Sequence, residues 1–231
     1  MAVQFAGLGG AATSGSFEGQ LGGQVQVGLV DRVSVMTRGG AQLGGASGIA
    51  NRDGFVGAML GLVESDQLGI ALIPGISVPM GRLGADPLRI TPLSSGSVDP
   101  WVSARVIGGG AWLGHFELEG RMPLYEGSDG VVQGPFGRVE ARGARRVKDA
   151  VVFVGASLTG QSGAPGAPGF WGLAPVAGGV FAWGDTWAFS PSVIVPVAGG
   201  PNGRGYHGAA ALAVTAVLGK SGDDDHHGEA P

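Results

Sequence analysis

The sequence predicts an all-β fold, a single antiparallel up-and-down barrel of about twelve membrane-crossing strands, and three observations predict it. Side chains alternate between apolar and small-or-polar with a period of two along most of the chain. The connections between the alternating runs are tight on one side and long on the other. Aromatic residues collect at the ends of the runs. Helices are disfavoured from the start, because 48 of the 231 residues are glycine and each glycine weakens a helix interior by roughly 1 kcal/mol.

The alternation is plainest in three segments. From Phe17 the odd positions carry Phe17, Leu21, Val25, Val27 and Leu29, and the even ones Glu18, Gln20, Gln24 and Gln26. Between Gln67 and Met80, Leu68, Ile70, Leu72, Ile76 and Val78 alternate with Gly69, Ala71, Gly75 and Ser77. From Trp112 the even positions are Trp112, Phe116, Leu118, Met122 and Leu124, set against His115, Glu117, Glu119 and Arg121. Such a pattern places one face against an apolar medium and the other against a polar or crowded one. Breaker residues then divide the chain into runs at about 2–11, 17–29, 33–42, 55–64, 67–80, 100–108, 111–125, 135–146, 149–160, 170–183, 186–198 and 205–219. The barrel is expected to occupy 1–219 and a disordered acidic tail 220–231.

Tight turns fall near Val30–Arg32, Ser65–Asp66, Gly109–Gly110, Val147–Lys148 and Gly184–Asp185. The other connections are longer and rich in Gly, Pro, Ser and Asp. A barrel with its termini on the short-turn side sorts its loops in this way; a soluble sandwich has no reason to. Trp101, Trp112, Tyr125, Trp171, Trp183, Trp187 and Tyr206 all lie near strand ends, as an aromatic girdle at the two membrane interfaces requires. Against the barrel stand Pro74, Pro175 and Pro191, which fall inside expected strands where proline deletes a ladder donor. Pro79, Pro123 and Pro196 each close a strand before a long loop.

Charge narrows the function classes. The net charge is −4, and most of it lies in the tail, where Asp223, Asp224, Asp225 and Glu229 outweigh Lys220. The body is therefore near neutral and lacks the basic excess of a nucleic-acid binder. Cysteine is absent, which removes disulfides, thiolate metal sites and cysteine nucleophiles. No run of 18 apolar residues marks a spanning helix, and Met1 is followed by neither the basic segment nor the apolar core of a secretory leader.

Two local motifs carry a family resemblance. Gly28-Leu-Val-Asp-Arg-Val-Ser-Val35 resembles the glycine–leucine–threonine–aspartate–arginine–leucine hairpin turn of Gram-negative outer-membrane barrels. Leu72-Ile-Pro-Gly-Ile-Ser-Val-Pro-Met-Gly81, with Ser95-Gly-Ser-Val-Asp-Pro-Trp101, is similar to the transporter-like barrels associated with phenol meta-cleavage pathways. The likeness covers about residues 20–125. It implies an outer-membrane location, insertion by the outer-membrane assembly machinery and passive uptake of small compounds, aromatic ones among them. The non-aromatic C-terminus departs from that family's usual ending.

With apolar faces outward, parity points Arg38, Arg105, His115, Glu117, Glu119, Arg121, Arg138, Glu140 and Arg142 into the lumen. The seventh and eighth strands carry most of this charge. Centring their loop near Gly130 allows opposed positions summing to 259, 261 or 263. The 261 register pairs Arg121 with Glu140 and Glu119 with Arg142, and is expected over 259, which opposes like charges. Such residues either select solutes by charge or form an ion-pair ladder that fills a narrow lumen.

Catalysis finds little support. His115 is followed by Phe116 and Glu117, and His207 by Gly208 and Ala209, so neither has a serine two residues on. Glu117 and Glu119 are surrounded by arginines, which argues for ion pairs rather than for a general acid and base. Asp223-Asp-Asp-His-His227 resembles a solvated tail more than a metal site. Gly108-Gly-Gly110 lacks the Lys-Ser/Thr of a phosphate loop. No enzyme, metal or cofactor is expected. The expectation is a passive channel for small solutes in a lipid bilayer, the alternatives being a structural barrel with a plugged lumen and a soluble all-β binding module.

Overall fold

The computed structural model describes residues 1–12, 17–44, 49–80, 97–124, 134–148, 150–163, 169–200 and 206–218, and every regular element among them is a β-strand. The strands are β1 (Ala2–Ala12), β2 (Phe17–Val30), β3 (Val33–Gly44), β4 (Ile49–Glu64), β5 (Leu68–Val78), β6 (Asp99–Gly109) and β7 (Trp112–Arg121). They continue as β8 (Phe136–Val147), β9 (Ala150–Gln161), β10 (Phe170–Trp183), β11 (Trp187–Ile194), β12 (Ala198–Gly200) and β13 (Tyr206–Val217). From β1 to β11 each strand pairs antiparallel with the next, β12 pairs with β10, and β13 pairs with both β1 and β11. The sheet is therefore closed. Both β11 and β12 pair with β10, so they are two lengths of one stave and the barrel has twelve.

Apolar residues are inverted relative to a soluble protein. Phe5, Leu21, Val56, Ile76, Val102, Leu118, Val154 and Leu212 are each at least 45% exposed on the outer surface. Glu18, Gln20, Asp99, Glu117, Glu119, Arg121 and Glu140 are buried inside. Only a surrounding apolar solvent stabilises that arrangement, and closing the sheet leaves no unpaired edge in it.

The three troublesome prolines sit where the ladders are already interrupted. Pairing of β4 with β5 runs to Gly57–Gly75 and resumes at Leu60–Leu72, and Pro74 lies in that interval. Pairing of β10 with β11 passes from Gly178–Ser192 to Phe181–Phe189, and Pro191 lies between. Pro175 faces the break between β11 and β12, where its carbonyl accepts a hydrogen bond from the Val195 amide at 3.1 Å. Pro196 lies in that break as well. The missing donors thus coincide with positions that need none.

Four features differ from the expectation. β4 begins at Ile49, six residues early, and β7 ends at Arg121, short of 125. The eleventh stave is divided. The β7–β8 register is also corrected: His115 pairs with Arg142, Glu117 with Glu140 and Glu119 with Arg138. Each pair sums to 257, four residues away from 261. Balancing β7 against β8 alone missed its other partners. Glu117 lies opposite Arg105 on β6, and Arg121 turns to Asp53 and Asp99 instead of Glu140. The acidic tail 220–231 lies outside the described residues.

Candidate pore constriction

Inward positions share one parity across neighbouring strands through the middle of the barrel, between the register shifts at Gly28/Val30, Arg38/Gly40 and Gly61/Val63. Gln4 pairs with Gln24, Gln26 with Met36, Arg38 with Phe55, Ile73 with Ser103, Arg105 with Glu117, and Glu140 with Ser157. Charge is concentrated on one wall, β6 to β8, with Arg38 reaching in from β3. Glu119 receives Arg38 Nη2 on Oε1 at 2.9 Å and Arg138 Nη2 on Oε2 at 2.8 Å. Glu117 Oε1 accepts from Arg105 Nη2 at 3.2 Å, Ser103 Oγ at 3.2 Å and Arg138 Nη2 at 3.5 Å. Arg142 Nε lies 2.7 Å from Glu140 Oε1. The His115 ring stands 3.9 Å from both Glu117 and Glu140. The opposed Glu117 and Glu140 are therefore separated by cations, which removes the penalty of a bare like-charge pair.

Arg121 is set apart from this group. Its side chain is wholly buried, with Nη1 3.4 Å from Asp53 Oδ2 and Nε 3.9 Å from Asp99 Oδ2. It holds β7 to β4 and β6 rather than presenting charge to solvent.

An aromatic and aliphatic cluster supports the arginines. Trp101, Phe55, Met36 and Ile73 pack together, with Trp101 edge-on to Phe55 at 5.5 Å and stacked on Phe136 at 6.3 Å. The Arg38 guanidinium lies 4.3 Å from the Trp101 ring centroid and 4.8 Å from that of Phe55. Arg142 lies over Phe153 at 4.7 Å. Contacts of this kind contribute about 0.5–2 kcal/mol each and fix the plane of the guanidinium. Trp101 is thus an interior residue, a correction to its placement in the girdle. Being buried beside Arg38, it cannot reach a lipid headgroup.

The other aromatics lie elsewhere. Trp112, Trp171, Trp183 and Trp187 are exposed near strand ends. Trp183 and Trp187 face each other across the β10–β11 turn, Trp183 packs on Phe189 at 5.8 Å, and Arg145 lies 5.3 Å over Trp112. Tyr125 lies outside the described residues, as does the side chain of Tyr206, whose backbone pairs with Ala12.

Phe55, Met36, Ile73, Phe136 and Phe153 escaped the sequence reading, since alternation identifies an apolar residue among polar ones but not among other apolar ones. Glycine was the available signal. A Cβ on Gly57 or Gly75 would stand 2.6 or 2.7 Å from the Phe55 ring, so both glycines clear the space that the ring fills. Among the described residues no group of His, Asp and Glu is placed to hold a metal; Asp223 to His227 and the side chain of His207 lie outside them.

No protein family and no curated protein matches the chain. Solved structures do. The COG4313 outer membrane channel from Pseudomonas putida F1 superposes with a TM-score of 0.67 at 12% identity, over 94% of this chain and 95% of that one. A NanC porin gives 0.59 at 11% identity over 94% and 99%, and a KdgM porin 0.58 at 8% over 95% and 100%. The fold is that of these outer-membrane channel barrels.

Proposed function

We propose that the protein is an outer-membrane channel through which small solutes diffuse passively. The observation that carries the reading is the inversion itself. Apolar side chains cover the outside of a closed twelve-stave sheet, and Arg, Glu and His side chains occupy the inside, the glutamates buried and the arginines partly solvated. A soluble binding module would not bury Glu119 and expose Leu118. The neighbours' descriptions as outer membrane channel and porin support the same function.

In this reading Arg38, Arg105, His115, Glu117, Glu119, Arg138, Glu140 and Arg142 line the constriction, while Arg121 holds its frame. Trp112, Tyr125, Trp171, Trp183, Trp187 and Tyr206 ring the membrane interfaces. Insertion proceeds through the outer-membrane assembly machinery, and the resemblance to barrels of phenol meta-cleavage pathways brings small aromatic compounds among the candidate solutes. Detergent-extracted protein reconstituted in a planar bilayer should give discrete conductance steps. A chain that is monodisperse in plain buffer would refute the membrane location. A reconstituted chain that never conducts would leave a plugged structural barrel.

A further inference from the structure

The charged wall does not show its two signs equally to the lumen. The side chains of Arg38, Arg105, Arg138 and Arg142 are 30, 27, 23 and 31% exposed, whereas those of Glu117, Glu119 and Glu140 are 9, 4 and 9% exposed. These positions point inward, so the water that reaches them stands inside the barrel. The seven groups sum to one net positive charge, and the carboxylates lie beneath the guanidiniums that cover them. The Arg121–Asp53–Asp99 group carries the opposite excess, but Arg121 and Asp99 are sealed and Asp53 is only 12% exposed.

The wall across the barrel is built differently. β13, β1 and β2 stand half the circumference away from β7. Between them they turn Ala211, Ala213, Ala6, Gly22, Gln4 and Gln24 inward. Uncharged residues, several of them small, therefore face the guanidiniums across the lumen, so a path on that side runs beside the guanidiniums without passing between them. Glu18, the inward acid on this side, is buried.

We propose that this one-sided constriction makes the pore anion-selective, its organic solutes being small carboxylates. The inference rests on the channel reading above. A carboxylate's two oxygens match the paired N–H groups of a guanidinium. Several neighbouring arginines, each already engaged with a glutamate, offer sites weak enough to leave as well as to enter. A cation on the same path meets guanidinium edges first.

The test is the reversal potential of the purified full-length chain in a planar bilayer across a KCl gradient. Chloride should permeate about threefold or more over potassium, as expected where a fixed field biases entry to a narrow aqueous path. Acetate should carry current in place of chloride. The preference should shrink from 0.1 to 1 M salt, because the screening length falls from about 10 to about 3 Å, a measurement that needs no variant. Arg105→Gln with Arg142→Gln should abolish the preference, and Arg142→Lys alone should keep it. Conductance with equal or greater potassium permeability would overturn the anion assignment and leave the channel intact. Anion preference unchanged in the double variant would overturn the assignment to this wall. Absence of any conductance would instead strike the channel reading on which the inference stands.

Discussion

Removing the Glu119 carboxylate tests the observed strand register most directly. Glu119 is 4% exposed and takes one arginine on each oxygen, at 2.9 and 2.8 Å. Breaking a buried ion pair from one side costs about 3–5 kcal/mol when the orphaned charge has no other partner. Here Arg138 keeps Glu117 at 3.5 Å, Arg38 keeps the Trp101 and Phe55 rings, and both arginines are partly exposed on the lumenal side. Glu119→Gln should therefore cost about 2–3 kcal/mol. Because β7 and β8 pair Glu119 directly with Arg138, the cycle of Glu119→Gln and Arg138→Gln should show a coupling of about 1–2 kcal/mol. The same cycle on Arg121 and Glu140 should show almost none, since Arg121 lies opposite Phe136. Reversible urea unfolding from lipid vesicles, followed by tryptophan fluorescence, gives all the required free energies. Coupling of Arg121 to Glu140 without coupling of Glu119 to Arg138 would refute the register and the charge argument built on it.

Other expectations follow from the same geometry. Leu118→Arg or Val154→Arg, on the outer face, should destabilise the barrel by about 2–4 kcal/mol near mid-membrane, while inward Ala71→Arg is better tolerated; equal damage on the two faces, read by the same unfolding assay, would reverse the parity. Ala213→Trp, on the small wall, should lower single-channel conductance and leave the chloride-to-potassium ratio unchanged, which bilayer recordings decide. Gly109→Ala should be costly, about 1–3 kcal/mol. Gly109 has φ 125° and its Cβ would run into the Trp112 carbonyl oxygen, whereas nothing lies within 4 Å of a Cβ on Gly110. Gly110→Ala should be nearly neutral, and similar unfolding midpoints for the two variants would contradict the turn geometry.

The barrel was legible because its signals are local and repeat around the whole circumference. Leu118 beside Glu119, or Leu21 beside Gln20, assigns a side to its neighbours along the strand as far as the next bulge, since a regular strand alternates without choice. The turn at Asp31–Arg32, with Arg32 at φ 65°, needed only its neighbours in sequence. Prolines could be noticed but not explained, because whether Pro175 forfeits a bond depends on the break opposite it, some twenty residues away.

By itself, then, the sequence determined the strand type, the approximate stave count, the outward apolar face and the inward placement of the charged residues. All of these depend on spacing along one chain. Register, pairing of charges and the interior aromatic cluster depended on closure. Only when β3 and β7 face a common lumen does Arg38 reach Glu119, 81 positions away, and only then does Trp101 find Phe55 and Phe136 around it. Two opposed strands left several charge registers open, and the third and fourth strands around the ring selected one. Which sign of charge meets the solute is likewise a tertiary property. The parity that points both signs inward cannot say which lies beneath the other.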